Sequence, residues 1–322
     1  MDFLKKYQNI ISENIEKYQF KQLPSELYTP LNYIISIGGK RLRPTLLLMS
    51  CEAFGGDVQK AIKPALAIEF FHNFTLIHDD IMDNAPLRRG NATIHALHGI
   101  NTGILSGDAL FIKSYQFFED LEPNLFKNCI QLFSETGALL CEGQQMDINF
   151  ETSEKVNYDD YIQMITNKTG VLTAGSLKIG AIIANASEQD ANAIYEFGKH
   201  IGIAFQMMDD YLDVFGNQEF GKKEAGDITE NKKTILYLLA EENANSEDLQ
   251  ELKNWYSTKE YSEEKIQKVK EIFKRTNADE LTLKHIEKHN DLAQNSLNSS
   301  SLSEEKKKIF IELANYLLNR NI

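Results

Sequence analysis

The 322 residues carry 47 acidic side chains against 34 basic ones, a formal net charge of -13, and 42% of them are hydrophobic. That balance sets aside nucleic acid as a partner, because a phosphate backbone asks for a basic surface. It also leaves ample apolar material for a core, in one large domain or two.

Three cysteines in no pattern, Cys51, Cys129 and Cys141, suit reduced thiols in the cytoplasm better than a disulfide framework. The opening Met1-Asp2-Phe3-Leu4-Lys5-Lys6 is too charged for a signal peptide. The most apolar window, Val171 to Ala186, contains Lys178 and is too short to span a bilayer, so no transmembrane segment is expected.

In chain order, residues 1–22 read as an amphipathic helix, with Leu4, Ile10, Ile11, Ile15 and Phe20 among charged neighbours. Gly38-Gly39-Lys40-Arg41-Leu42-Arg43-Pro44 follows, a tight turn that presents cations at the start of an apolar run. Arg43 can grip a phosphate bidentately, but the P-loop spacing is absent. A basic helix start on the surface reads equally well.

Ala61 to His78 has helical period and leads into Asp79-Asp80-Ile81-Met82-Asp83. Leu87 to His98 reads as a loop and holds Arg88-Arg89-Gly90. Ile104 to Phe118, Leu132 to Gln145 and Ile194 to Leu212 are further helices, so the fold is expected to be all-α. Gln144 and Asp147 could simply hydrogen-bond within a bundle. Lys168-Thr169-Gly170 is weak on its own.

The last of these helices carries Asp209-Asp210-Tyr211-Leu212-Asp213, a second copy of the aspartate pattern. Asn217 to Asn231 reads as a loop, and Lys232-Lys233 follows it. Glu241 to Glu264 and Asn295 to Glu305 read as surface connections. No Ser/Gly-rich linker interrupts residues 31–290, so one domain over 1–322 is expected, with a peripheral C-terminal helical part from about 241.

The two aspartate clusters carry the most chemistry. On a helix Asp79 and Asp83 share a face, as do Asp209 and Asp213. Like charges at that spacing cost roughly 0.2–0.5 kcal/mol per pair, and acids among large apolar residues cost more unless a cation meets them. Oxygen-only ligands point to Mg²⁺ held by carboxylates, water and substrate phosphates. One such cluster alone reads as an acidic helix end; two in apolar surroundings do not.

Taken in order, GGKRLRP, LIHDDIMD, LRRG, GQQMD, KTG and FQMMDDYLD, with a GK and an NKKT after them, resemble the trans-isoprenyl diphosphate synthases of the polyprenyl synthetase family. The likeness runs from Ile35 to Thr234. It implies an all-α bundle with the aspartate motifs on facing helices around a deep central cavity, usually in a homodimer. The implied reaction condenses isopentenyl diphosphate with an allylic diphosphate.

By the same resemblance, Lys40, Arg43, His72 and Arg89 would hold the isopentenyl diphosphate. Asp79, Asp83 and Asp209 would bind three Mg²⁺ ions, supported by Asp80, Asp210 and Asp213. Arg88, Lys168 and Lys222 would contact the allylic diphosphate, with Lys222 preferred to Lys223. Thr169 and Gln206 would line the place where positive charge develops, and Lys232 would add to the cationic wall.

Phe74 lies five residues before Asp79, roughly 7.5 Å along a helix, and Phe71 is one turn further. In the family a bulky residue here resembles short-chain enzymes, so the two rings are expected to floor the product at C20 or C15. The rivals are a class I terpene cyclase and a non-catalytic subunit of a heteromeric synthase. The retained pair of aspartate motifs and the GGKRLRP segment favour chain elongation. The chain ends with a single Arg320, where many short-chain relatives have a basic tail.

Overall fold

The computed structural model describes residues 2–153, 155–216, 225–258 and 261–319, with side chains from Leu4 onward. Lys222, Lys223 and Arg320 lie outside the described residues. The elements in order are α1 (Asp2–Lys17), α2 (Ser25–Ser36), α3 (Leu42–Ala53), α4 (Val58–Met82), a hairpin of β1 (Leu87–Arg88) and β2 (Asn91–Ala92), α5 (Ile94–His98) and α6 (Ile100–Gln116). Then come α7 (Pro123–Thr152), α8 (Tyr158–Ile165), a π-helical turn (Thr166–Gly170), α9 (Val171–Ile183) and α10 (Glu188–Phe215). The chain closes with α11 (Gly226–Thr229), α12 (Ile235–Asn243), α13 (Ser246–Trp255), α14 (Glu263–Arg275), α15 (Ala278–Asn298) and α16 (Glu304–Leu318). The all-α expectation holds.

Two compact units emerge, each from two stretches of sequence: residues 1–134 with 175–191, and 135–174 with 192–322. In the first, α4 packs chiefly against α6 and α3. Asp57 caps α4 by accepting from the Gln59 N–H at 2.9 Å. Phe70 and Phe71 of α4 are almost wholly buried, each side chain contributing about 1.5–3 kcal/mol of apolar burial.

In the second unit, Tyr161, Met207, Tyr211, Leu236, Val269 and Phe273 belong to one apolar cluster. That core is built on α8, α10, α12 and α14. Residues 192–215 of α10 therefore carry their acids on a rigid element with one face fixed in a core.

Three sequence expectations change. Leu87 to His98 is not an open loop but a two-residue-per-strand hairpin followed by α5, reversed by Arg89 at φ 52° and Gly90 at φ 75°. The charged stretch from Glu241 contains α13, because Asn245 caps its first turn and one face buries Leu252 together with Asp248, which pairs with Arg275 at 2.6 Å. The opening helix stops at Lys17, short of residue 22. Among the described residues, no helix is long and apolar enough to cross a membrane.

Candidate active site

In the first unit, Gly38 and Gly39 have φ values of 79° and 154°, and Arg41, at φ 46°, starts α3. The turn needs its glycines. A Cβ on Gly39 would sit 2.4 Å from Arg89 Nη1, so the bare backbone lets that guanidinium approach. Arg89 donates to the Gly38 carbonyl there.

Arg43 Nη1 donates to His72 Nε2 at 3.2 Å. Burial first, then the Arg43, Arg89 and Arg88 charges, hold the imidazole well below its usual pKa. His72 is therefore neutral, with Nε2 accepting and Nδ1 carrying the proton. Arg41 is turned away toward Ser12, donating to its hydroxyl at 2.6 Å. Lys40 is exposed.

Sequence reasoning missed Glu69, whose carboxyl is buried in this cationic neighbourhood. Burial raises its pKa against the opposing pull of Arg41. Glu69 precedes His72 by one turn of α4, but nothing in the run of apolar residues marked it as more than a helix acid.

Asp79, Asp80 and Asp83 occupy the end of α4, with Asp83 as its C-cap. Asp80 is 2% exposed, and Arg88 Nε lies 2.8 Å from each of its carboxylate oxygens. Asp79 is half-buried and Asp83 exposed, one turn apart on the same face.

The second unit repeats the pattern. Asp210 is 6% exposed, accepting from the Tyr161 hydroxyl at 2.7 Å and from Gln206 Nε2 at 2.9 Å. Asp209 and Asp213 are half-buried. Gln206 Oε1 in turn accepts from the Thr169 hydroxyl at 2.9 Å, so Thr169, Gln206 and Asp210 form one chain.

Lys168 sits in the π-helical turn and pairs with Asp147 at 2.5 Å. A Cβ on Gly143 would lie 2.4 Å from the Lys168 backbone nitrogen, so α7 meets this turn through a glycine. Asp147 thus has a specific partner where the sequence suggested only a generic contact. Asp227, also unassigned by the sequence, donates its N–H to Asp213 Oδ2 at 2.9 Å and faces Lys232 at 3.7 Å.

Asp210 is buried and Asp227 half-buried, and neighbouring acids raise the cost of ionising each. Burial, then Asp210 and Asp213, push Asp227 up to about 8, and burial pushes Asp210 up to about 6. Burial opposes the charge on Lys232, but Asp227 and Glu230 more than offset it and raise its pKa.

Helix polarity sharpens the point. Asp79 and Asp80 lie in the last turn of a 25-residue helix and Asp213 in the last turn of a 28-residue one, where the dipole disfavours anions by about 0.3–1 kcal/mol each. Lys40, Arg41 and Arg43 stand at the N-terminus of α3, where cations are disfavoured for the same reason. Each group suits a ligand of opposite sign.

Among the described residues, no three His, Cys, Asp or Glu side chains converge closely enough to hold a metal ion by themselves. The oxygen donors of Asp79, Asp83 and Asp209 are of the kind Mg²⁺ takes, one or two carboxylates with water and substrate phosphate completing its shell. The donor set fits.

The sequence profile of the polyprenyl synthetase family matches residues 24–273. The chain is 35% identical to the geranylgeranyl pyrophosphate synthase of Geoglobus acetivorans, over 99% of each chain. It is 38% identical to the short chain isoprenyl diphosphate synthase of Methanothermobacter thermautotrophicus, over 87% of this chain and 86% of that one. A crystal structure of a geranylgeranyl pyrophosphate synthase superimposes with a TM-score of 0.94 and 42% identity, covering 99% of both chains.

Proposed function

The chain belongs to the polyprenyl synthetase family, and on that footing we propose that it joins isopentenyl diphosphate to an allylic diphosphate, making a C20 or C15 all-trans prenyl diphosphate. One observation carries this reading: acids crowd the carboxyl ends of α4 and α10 while bases crowd the amino end of α3. A reaction between two diphosphates, one of them bound through metal, brings charge of both signs to meet them.

Lys40, Arg43, Arg89 and the Nδ1–H of neutral His72 hold the isopentenyl diphosphate. Asp79, Asp83 and Asp209 would hold Mg²⁺, three ions in all, with Asp80, Asp210 and Asp213 behind them; the metal would supply positive charge to offset what grows on a departing diphosphate. Arg88 and Lys168 grip the same leaving group, and Lys232 adds to the cationic wall.

The allylic C–O bond breaks, the isopentenyl double bond attacks the resulting cation to form a C–C bond, and the released diphosphate takes the proton. Thr169 and Gln206 present oxygen dipoles toward the developing positive charge. No protein nucleophile is needed. Phe74 and Phe71 block the path of the growing chain and limit product length.

Leu97, Ile100, Ile104, Leu105 and Ile112 are exposed apolar side chains on α5 and α6, and we assign them to the contact with a second copy in a homodimer. The cytoplasm is the compartment that suits the unpaired Cys51, Cys129 and Cys141.

The deciding experiment incubates purified protein with isopentenyl diphosphate, each allylic primer and Mg²⁺, with an EDTA control, and weighs the products. A Mg²⁺-dependent C15 or C20 diphosphate is expected. Folded protein that elongates no primer would refute the reading and turn attention to a terpene cyclase or a non-catalytic subunit.

A further inference from the structure

Along the seam where α4 meets α6, Gly107 leaves a notch. A Cβ there would lie 2.2 Å from His78 Nε2 and 2.4 Å from its Cδ2. The imidazole therefore occupies the space that any side chain at 107 would take. Its Nε2 sits 3.2 Å from the Ile104 carbonyl oxygen, to which it donates, and 3.7 Å from Asp108 Oδ1.

The other side of the same ring meets Phe74. The two centroids are 4.9 Å apart at an interplanar angle of 73°, an edge-to-face contact. Phe74 also meets the rings of Phe71 at 5.5 Å and Phe111 at 5.0 Å. Phe71 is itself 1% exposed and rests on Phe133 at 5.0 Å. Phe74 is thus held by Phe71 on its own helix, by Phe111 from α6, and by His78.

Of the three, His78 is the support that depends on a single missing methyl group. Phe71 and Phe111 belong to a wider aromatic cluster that would survive local change. His78 stays in place because residue 107 has no Cβ and because Ile104 offers a carbonyl.

We propose that Gly107 and His78 are positioning residues for product length: the notch seats the imidazole, and the imidazole fixes the rotamer of Phe74. The inference rests on the reading of Phe74 as the barrier to the growing chain. Phe74 has staggered alternatives, and with His78 absent or displaced the vacated notch lies open to its ring. The barrier would then yield to one more five-carbon unit in a fraction of turnovers.

The test compares His78→Ala, Gly107→Ala, the double variant and Phe74→Ala in the full chain, at fixed substrate ratio and Mg²⁺, reading the product distribution by mass. His78→Ala and Gly107→Ala should each raise the ratio of the next longer product to the main product about two- to tenfold, the size expected of one aromatic edge contact. Because the three atoms nearest a Cβ at position 107 all belong to the imidazole, the double variant should match His78→Ala alone. A merely structural role would lower yield without moving this ratio.

Additive effects in the double variant would overturn the coupling. An unchanged ratio in well-folded His78→Ala, beside longer products from Phe74→Ala, would overturn the inference and leave the barrier standing. Unchanged products from Phe74→Ala would remove the barrier and this inference with it. Should Gly107→Ala fail to fold, His78→Ala and His78→Gln decide the matter, with Gln expected to fall between Ala and the natural residue.

Discussion

Tyr161 donates its hydroxyl to Asp210 at 2.7 Å from a helix 49 residues earlier in the chain. Burial, with the Asp210 charge, holds the phenol pKa well above its ordinary value, so the group remains a donor throughout the working range. Tyr161→Phe keeps the ring and removes the donor to a buried carboxylate. A loss of about 1.5–3 kcal/mol is expected, the usual size for a hydrogen bond to a charged group. Urea unfolding checks it, and an unchanged midpoint would mean that another group takes over.

Arg88 meets a more demanding partner. Its Nε reaches both oxygens of Asp80, and Nη2 lies 2.7 Å from Oδ1. Arg88→Ala strands a carboxylate that is 2% exposed, and breaking a buried pair costs about 3–5 kcal/mol. Arg88→Lys should recover only part of this, since an ammonium lacks the planar fork. Melting temperatures in the order natural, Lys, Ala are expected; equal values for Lys and Ala would show that charge at this position is irrelevant.

Ligand binding should be visible without turnover. Mg²⁺ with inorganic diphosphate should raise the melting temperature, by about 2.7 kcal/mol of added stability at a hundred times the dissociation constant. Asp79→Asn and Asp209→Asn should each abolish most of that rise and lower kcat by roughly 10²–10³, as losses of charge stabilisation at reacting centres do. A full thermal shift in either variant would remove its carboxylate from the metal site.

Acid sensitivity should come from a different place. His200 Nδ1 and His289 Nδ1 lie 3.1 Å apart, one donating to the other. Burial, then His200 and nearby Lys288, His285 and Lys199, lower the His289 pKa from 6.5 to about 4, while burial and Lys199 lower that of His200 against the pull of Glu196. The unfolded chain therefore binds more protons between those values. Asp227 and Asp210, whose raised pKa values favour the folded state as pH falls, add a stability slope of opposite sign. The His289 contribution should be level above pH 6.5 and be lost as pH drops toward 4, by at most about 3 kcal/mol before solvent screening. His289→Gln should flatten that limb in urea titrations at stepped pH; an unaltered slope would assign the sensitivity elsewhere.

Much of this was legible in the sequence, for definable reasons. Acids inside apolar helical runs announce themselves, so Asp79 and Asp209 needed no structure to be noticed. Long helices follow from a 3.6-residue period, which α4, α6 and α10 keep. Tyr161 could not be found that way, because α8 reaches Asp210 only through tertiary packing. Lys168 stands in a π-helical turn, which has no periodic signature of its own, and its pairing with Asp147 was hidden with it. The helix α13 was obscured by charge: Leu252 and the buried Asp248 anchor a face that composition alone reads as solvent-exposed.

The charges at the helix ends have a consequence for descent. A sequence that needs acids at two carboxyl ends and bases at an amino end holds them against the preference of the helix dipole, and a ligand of opposite charge offsets that cost. In a duplicate gene freed from catalysis, neutral replacements at Asp79 or Asp83 would remove that dipole cost. Loss of the first aspartate motif would then come early and easily, leaving a stable helical protein with the same shape and a silent centre.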